Sequence, residues 1–89
     1  MKNTITSAHI DALIAASQVE VSTRFGKVTL ISIRLPHGFV ITEAAGAVDP
    51  ANYSEEMGKK ICLDRIKNKL WELEGYKLSC ELNLPGSPD

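Results

Sequence analysis

The chain predicts an α+β fold: an N-terminal helix, a three-stranded antiparallel meander and a long C-terminal helix. Three observations predict it. Apolar residues fall at helical spacing between Thr6 and Ser17. Branched and polar residues then fill three short segments between Val19 and Ala44, separated by two glycine-containing turns. From Val48 to Tyr76 helical spacing returns over a much longer run.

In the first helix, Thr6 or Ser7 suits the cap, because a side-chain oxygen there accepts an otherwise unpaired amide. Ile10, Leu13 and Ile14 give the i, i+3, i+4 spacing. Ala8, Ala12, Ala15 and Ala16 favour helix and let a neighbour approach closely. Val19–Thr23 alternates and reads as a half-buried strand. Arg24-Phe25-Gly26-Lys27 is a turn, and Val28–Leu35 is a second strand. Pro36-His37-Gly38 makes a three-residue hairpin loop with glycine where positive φ is needed. Phe39–Ala44 is the third strand. Setting Leu35 opposite Phe39 sets Ile33 opposite Ile41. Ile31, Ile33, Leu35, Phe39 and Ile41 then share one face, and a one-residue slip would scatter them. Ala45-Gly46-Ala47 leads into the long helix.

Asp49-Pro50 suits the approach to that helix, since proline presets the angle of a first turn. Asn52 with Glu55 has the spacing of a capping box, and Ser54 is a second possible cap. Glu55–Lys59 and Glu56–Lys60 are i, i+4 pairs, each worth roughly 0.2–0.5 kcal/mol. At about 100° per residue, two apolar stripes emerge. Cys62, Leu63, Ile66, Leu70 and Leu73 form a core-facing side. Tyr53, Met57, Ile61 and Trp71 lie nearly opposite, interrupted by Asp64 and Asn68. That second stripe predicts a cover, either the N-terminal segment or another copy of the chain. Beyond Gly75 two readings stand. Tyr76, Leu78, Cys80, Leu82 and Leu84 alternate as in a strand, whereas Leu78 and Leu82 also keep helical spacing. The expectation is a helix that is kinked or ended near Gly75.

The length of 89 residues allows one domain, expected over residues 1–84, with 85–89 a disordered tail. A net charge of −1 provides no global basic field to gather nucleic acid. The 2 cysteines form no CxxC and no Cys/His cluster, so neither a metal site nor a redox motif is expected. Cys62 reads as a small buried residue, and no Cys62–Cys80 disulfide is expected. The N-terminus reads as neither signal peptide nor membrane span, and the chain is expected in the cytoplasm.

His9 and His37 read as solvated side chains; no catalytic spacing, cofactor or enzyme activity is expected. The candidate binding residues are Arg65, Lys69, Tyr53, Trp71, Met57 and Ile61. Arg65 and Lys69 lie one turn apart, and a guanidinium can clamp a phosphate or carboxylate through paired hydrogen bonds. Tyr53 and Trp71 offer rings that stack on a base or anchor a protein partner. Met57 and Ile61 complete an apolar contact stripe. The alternative pairs Lys69 with Glu72 and Lys67 with Asp64, and leaves the aromatics in the core.

The run LPHGFVITEAAGAVDPANYSEEMGKKI, followed by LWELEGY, resembles the phage gene-49/gene-66 family of small tailed-phage proteins. The resemblance covers roughly Thr4 to Leu82. Its linked pieces are His37-Gly38-Phe39, VDPANY, the Gly-Lys-Lys-Ile step and LWELEGY. The chain departs at Glu43-Ala44-Ala45-Gly46-Ala47, where many relatives carry a Glu-Ser-Ala-Cys-like segment, so no thiol is essential there. The resemblance implies a phage or prophage accessory protein in the cytoplasm of an infected or lysogenic bacterial host, and no particular reaction. Taken with the two-sided helix, it leads to an expected function: a homo-oligomer that counters a host defence by sequestering a small nucleotide signal. The alternatives are an adaptor or inhibitor that binds a host enzyme, and a weak nucleic-acid-binding protein. The last is disfavoured because Glu55, Glu56, Asp64, Glu72 and Glu74 balance the helix's bases.

Overall fold

The computed structural model describes residues 4–83, in the order α1 (Ser7–Ala15), β1 (Gln18–Arg24), β2 (Val28–Arg34), β3 (Val40–Gly46) and α2 (Glu55–Leu82). The α+β expectation of a short helix, a three-stranded antiparallel sheet and a long helix holds, but the long helix does not end near Gly75. The proposed tail, 85–89, lies outside the described residues.

Thr6 caps α1, its side chain accepting from the His9 amide at 3.2 Å. The helix stops at Ala15, two residues before the expected end. Ser17 Oγ donates to the Leu13 carbonyl at 2.7 Å and so satisfies one of the terminal acceptors. Ile10 is fully buried, while Leu13 and Ile14 pack at the margin of the core.

The strands pair antiparallel in the order β1-β2-β3. Ile33 faces Ile41, the register read from the hairpin. Gly38 takes φ +100 in the loop, and its amide donates to the Leu35 carbonyl at 2.8 Å. Ile31, Ile33, Leu35 and Ile41 are buried on one face as expected. Phe39 is the exception: the Leu35 amide donates to its carbonyl at 2.8 Å, yet its ring is largely exposed. It stands at the mouth of the hairpin beside His37 and Leu73, lining an open hollow there. Leu73, expected in the core, is half-exposed at the same place.

Ser54, not Asn52, caps α2, accepting from the Met57 amide at 3.3 Å. Asn52 closes a 3-10 turn, Pro50–Asn52, in which Asp49 accepts from the amides of Ala51 and Asn52. With Asn52 outside the helix, the box with Glu55 does not form. α2 runs 28 residues, or about 42 Å, and continues through Gly75. That glycine takes no left-handed conformation. Glycine costs a helix interior roughly 1 kcal/mol, and the contact that holds the helix next to it is Glu74 with His9 of α1 at 2.7 Å.

Cys62, Ile66 and Leu70 of α2 are fully buried against the sheet. The approach is close at Gly58. A Cβ there would lie 2.3 Å from Thr29 Oγ1 and 2.8 Å from Thr29 Cβ. Thr29 is itself fully buried on β2, so the helix start rests directly on the central strand. α2 packs on β2 and β3, leaving all seven residues of β1 exposed. No helix of the described residues is long and apolar enough to cross a membrane.

Candidate contact surface on the long helix

The sheet seals only one side of α2. On the opposite side Met57 is 64 % exposed, with Ile61 and Trp71 each 39 % exposed. The same line of the helix continues to Leu82, also exposed. The N-terminal helix does not cover this stripe. α1 instead lies along a flank of α2, where Lys67 pairs with Asp11 at 3.5 Å and Glu74 meets His9 at 2.7 Å.

Tyr53 departs from the stripe. It precedes the helix, so helical spacing does not govern its direction. Its hydroxyl lies 2.5 Å from Thr29 Oγ1 and 3.2 Å from Thr23 Oγ1, and Thr23 in turn donates to Glu55 at 3.3 Å. Tyr53 thus satisfies a buried hydroxyl and ties the helix approach to β1 and β2. Its ring, with Met57 and Ile61, still lines a shallow hollow against Ala45, Gly46 and Ala47, about 230 Å³ in volume. Trp71 lies more than two turns further along α2 and takes no part in it.

Arg65 and Lys69 form a third group. Arg65 Nη1 donates to the Ala44 carbonyl at 2.7 Å, and Lys69 Nζ lies 3.5 Å from Glu43. Both side chains reach β3. Neither pairing anticipated within the helix forms: Lys69 meets Glu43 instead of Glu72, and Lys67 meets Asp11 instead of Asp64. Asp64 takes Lys60 at 3.4 Å, which leaves Glu56 without the pair expected for it, while Glu55 and Lys59 do pair at 3.6 Å. The six candidate residues therefore fall into three places. Met57, Ile61 and Trp71 face outward, Tyr53 supports the sheet, and Arg65 with Lys69 guards one edge of it.

Two residues emerge that the spacing did not single out. Glu74 is buried, with His9 Nε2 at 2.7 Å and Lys77 Nζ at 3.9 Å around one carboxylate oxygen. His9 is thus a clamp between the helices and not a freely solvated side chain. The carboxylate sits between two hollows, one beside α1 and one beside the β2–β3 hairpin with His37 and Phe39. Gly58 is the other. Its only trace in the sequence is a glycine inside a helical run, and such a glycine often marks a close approach. Burial pushes the Cys62 thiol above its ordinary pKa, with Glu43 adding and Arg65 opposing. Cys62 Sγ donates to the Thr29 carbonyl at 3.6 Å. Both cysteines are free thiols. Among the described residues no three His, Cys, Asp or Glu side chains gather as a metal site would require.

The geometry defines a small α+β protein whose long helix is sealed on one side and open on the other. It is a phage protein: the chain belongs to the phage protein (N4 Gp49/phage Sf6 gene 66) family, whose model matches residues 5–82. Comparison with curated proteins and with solved structures gave no match.

Proposed function

We propose that this phage protein acts without catalysis, by binding a protein of the infected bacterium through the outward face of α2. One observation carries the reading: Met57, Ile61 and Trp71 stand uncovered on a helix whose other face is sealed by the sheet. Tryptophan and methionine are effective anchors, the first through its large rigid area and the second through its adaptable chain. Charge favours a different protein over another copy. An antiparallel self-contact that sets Met57 against Trp71 also sets Asp64 against Asp64 of the second copy. Like charges at the centre of such a contact are costly, and the exposed Lys60 contact to each Asp64 offsets little of that cost. A partner with a basic group between two apolar pockets avoids that cost.

The small-nucleotide reading asks more of the protein. Arg65 and Lys69 already hold β3, so a phosphate would have to displace those contacts or find cations supplied across two copies. The exposed Trp71 ring supports it as a stacking surface. In either form the proposed role is that of an accessory protein countering a host system, and the family supports the phage setting of that reading.

The test is native capture of tagged protein expressed in the bacterium, wild type beside the Met57→Ala/Trp71→Ala double variant. The wild type should retain a defined host protein that the double variant loses and that Glu56→Ala, on another side of the helix, keeps. Identical captured sets from all three would overturn the reading. Heat on titrating cyclic or ADP-ribose-type nucleotides into the purified protein would favour sequestration instead.

A further inference from the structure

The two edges of the sheet are treated differently. At the β3 edge the Ala44 carbonyl accepts from Arg65, and Lys69 covers Glu43. At the β1 edge Tyr53 and Glu55 reach the side chain of Thr23, but among the described residues no side chain caps an outward backbone group there. The direction of the free groups follows from alternation, since successive residues of an antiparallel strand turn their N–H and C=O toward opposite neighbours. The Leu35 amide donates to Phe39 and the Ala47 amide to Lys27, so odd-numbered residues carry the β2–β3 ladder. Even-numbered residues of β2 then serve β1. Val19, Val21 and Thr23 are left with their backbone groups turned to the outer edge, and no strand among the described residues pairs with them there. β1 is seven residues long, pairs with β2 without a bulge and contains no proline. Natural edges usually carry such devices to prevent pairing.

We propose that this edge receives a second copy of the same chain, β1 against β1 antiparallel, joining two three-stranded sheets into one of six strands. Charge complementarity selects the occupant and the register. With the twofold axis at Ser22, Glu20 of each copy faces Arg24 of the other, once on each side of the axis. Neither Glu20 nor Arg24 has an ion-pair partner among the described residues. The same register sets Val21 opposite Thr23, both with outward backbone groups, so their ladder bonds form. It also brings Phe25 beside Val19 of the second copy. Phe25 is 89 % exposed at φ 54, an uncommon backbone conformation for so bulky a residue. Centring the pair on Val21 instead would place Glu20 opposite Ser22 and lose both ion pairs. This contact is separate from the outward face of α2 and leaves that face open.

Light scattering on the purified full chain tests it. The wild type should have twice the 9.7 kDa chain mass. Glu20→Arg and Arg24→Glu, which oppose like charges, should each fall to the single-chain mass, and the double exchange should restore the dimer. Circular dichroism checks that each variant keeps its helices. A second readout needs no charge change. Ser22 would sit on the axis in a non-hydrogen-bonded pair, whose Cα atoms lie about 4.5 Å apart, within disulfide range. In a Cys80→Ser background, Ser22→Cys should therefore crosslink two copies on mild oxidation. A wild type at the single-chain mass up to millimolar concentration overturns the proposal. So does a dimer whose mass ignores both single exchanges and whose Ser22→Cys form does not crosslink.

Discussion

Gly58 and Tyr53 decide how closely the long helix can lie on the sheet. A Cβ at position 58 would collide with Thr29, which is buried and has nowhere to move. With contacts of 2.3 and 2.8 Å, Gly58→Ala should lose about 2–3 kcal/mol to overpacking and regain ~1 kcal/mol in helix propensity, a net loss. Gly75→Ala is the control: nothing lies within 4 Å of the added atom, so the propensity gain alone remains and stability should rise. Urea midpoints of the two variants should move in opposite directions; equal shifts would refute the close approach. Tyr53→Phe removes the hydroxyl bonded to Thr29 Oγ1 and should cost about 1–2 kcal/mol in the same assay. A midpoint unchanged from wild type would assign Tyr53 to the surface. The sequence did not reveal either role. A helical wheel assigned Tyr53 a direction although it lies before the cap, and the contact of Gly58 is with a residue 29 positions away.

The elements themselves were largely legible. Gly38 fixed the hairpin, and a side-chain period of two then fixed which residues of β2 and β3 share a face. Helical spacing separated the sealed side of α2 from its open side. Ion pairs were legible only within a turn. Lys59 took the helix partner expected of it, whereas Lys67 and Lys69 took partners on α1 and β3 that spacing along one helix cannot show. The same packing separates the two thiols. Cys62 is buried beneath the helix and Cys80 is partly exposed. In the native protein at neutral pH, a thiol reagent should modify Cys80 and spare Cys62; equal labelling would mean that α2 does not seal its inner face. The raised pKa of Cys62 carries a sign. The folded state holds the thiol proton more tightly than the unfolded state, so stability should fall as pH rises above the ordinary thiol value of 9.0. That fall should shrink in Cys62→Ala. An equal fall in the variant would assign the alkaline loss to other groups.

At the scale of the molecule, a small sheet supports a helix of about 42 Å and covers only one of its sides. The uncovered side was readable as a second stripe. What covers it was not, because no spacing within one chain specifies a partner. The outward face of α2 and the open edge of β1 point in different directions, so one protein can pair with its copy and still present Met57 and Trp71. Hydroxyl-radical footprinting of those two side chains, in the purified protein and again in the complex captured from the bacterium, tests this most directly. Both residues should oxidise readily in the purified protein, whether single or paired through β1, and both should be protected in the captured complex. Protection already complete in the purified protein, or oxidation undiminished in the complex, would contradict the assignment of this face to a host partner.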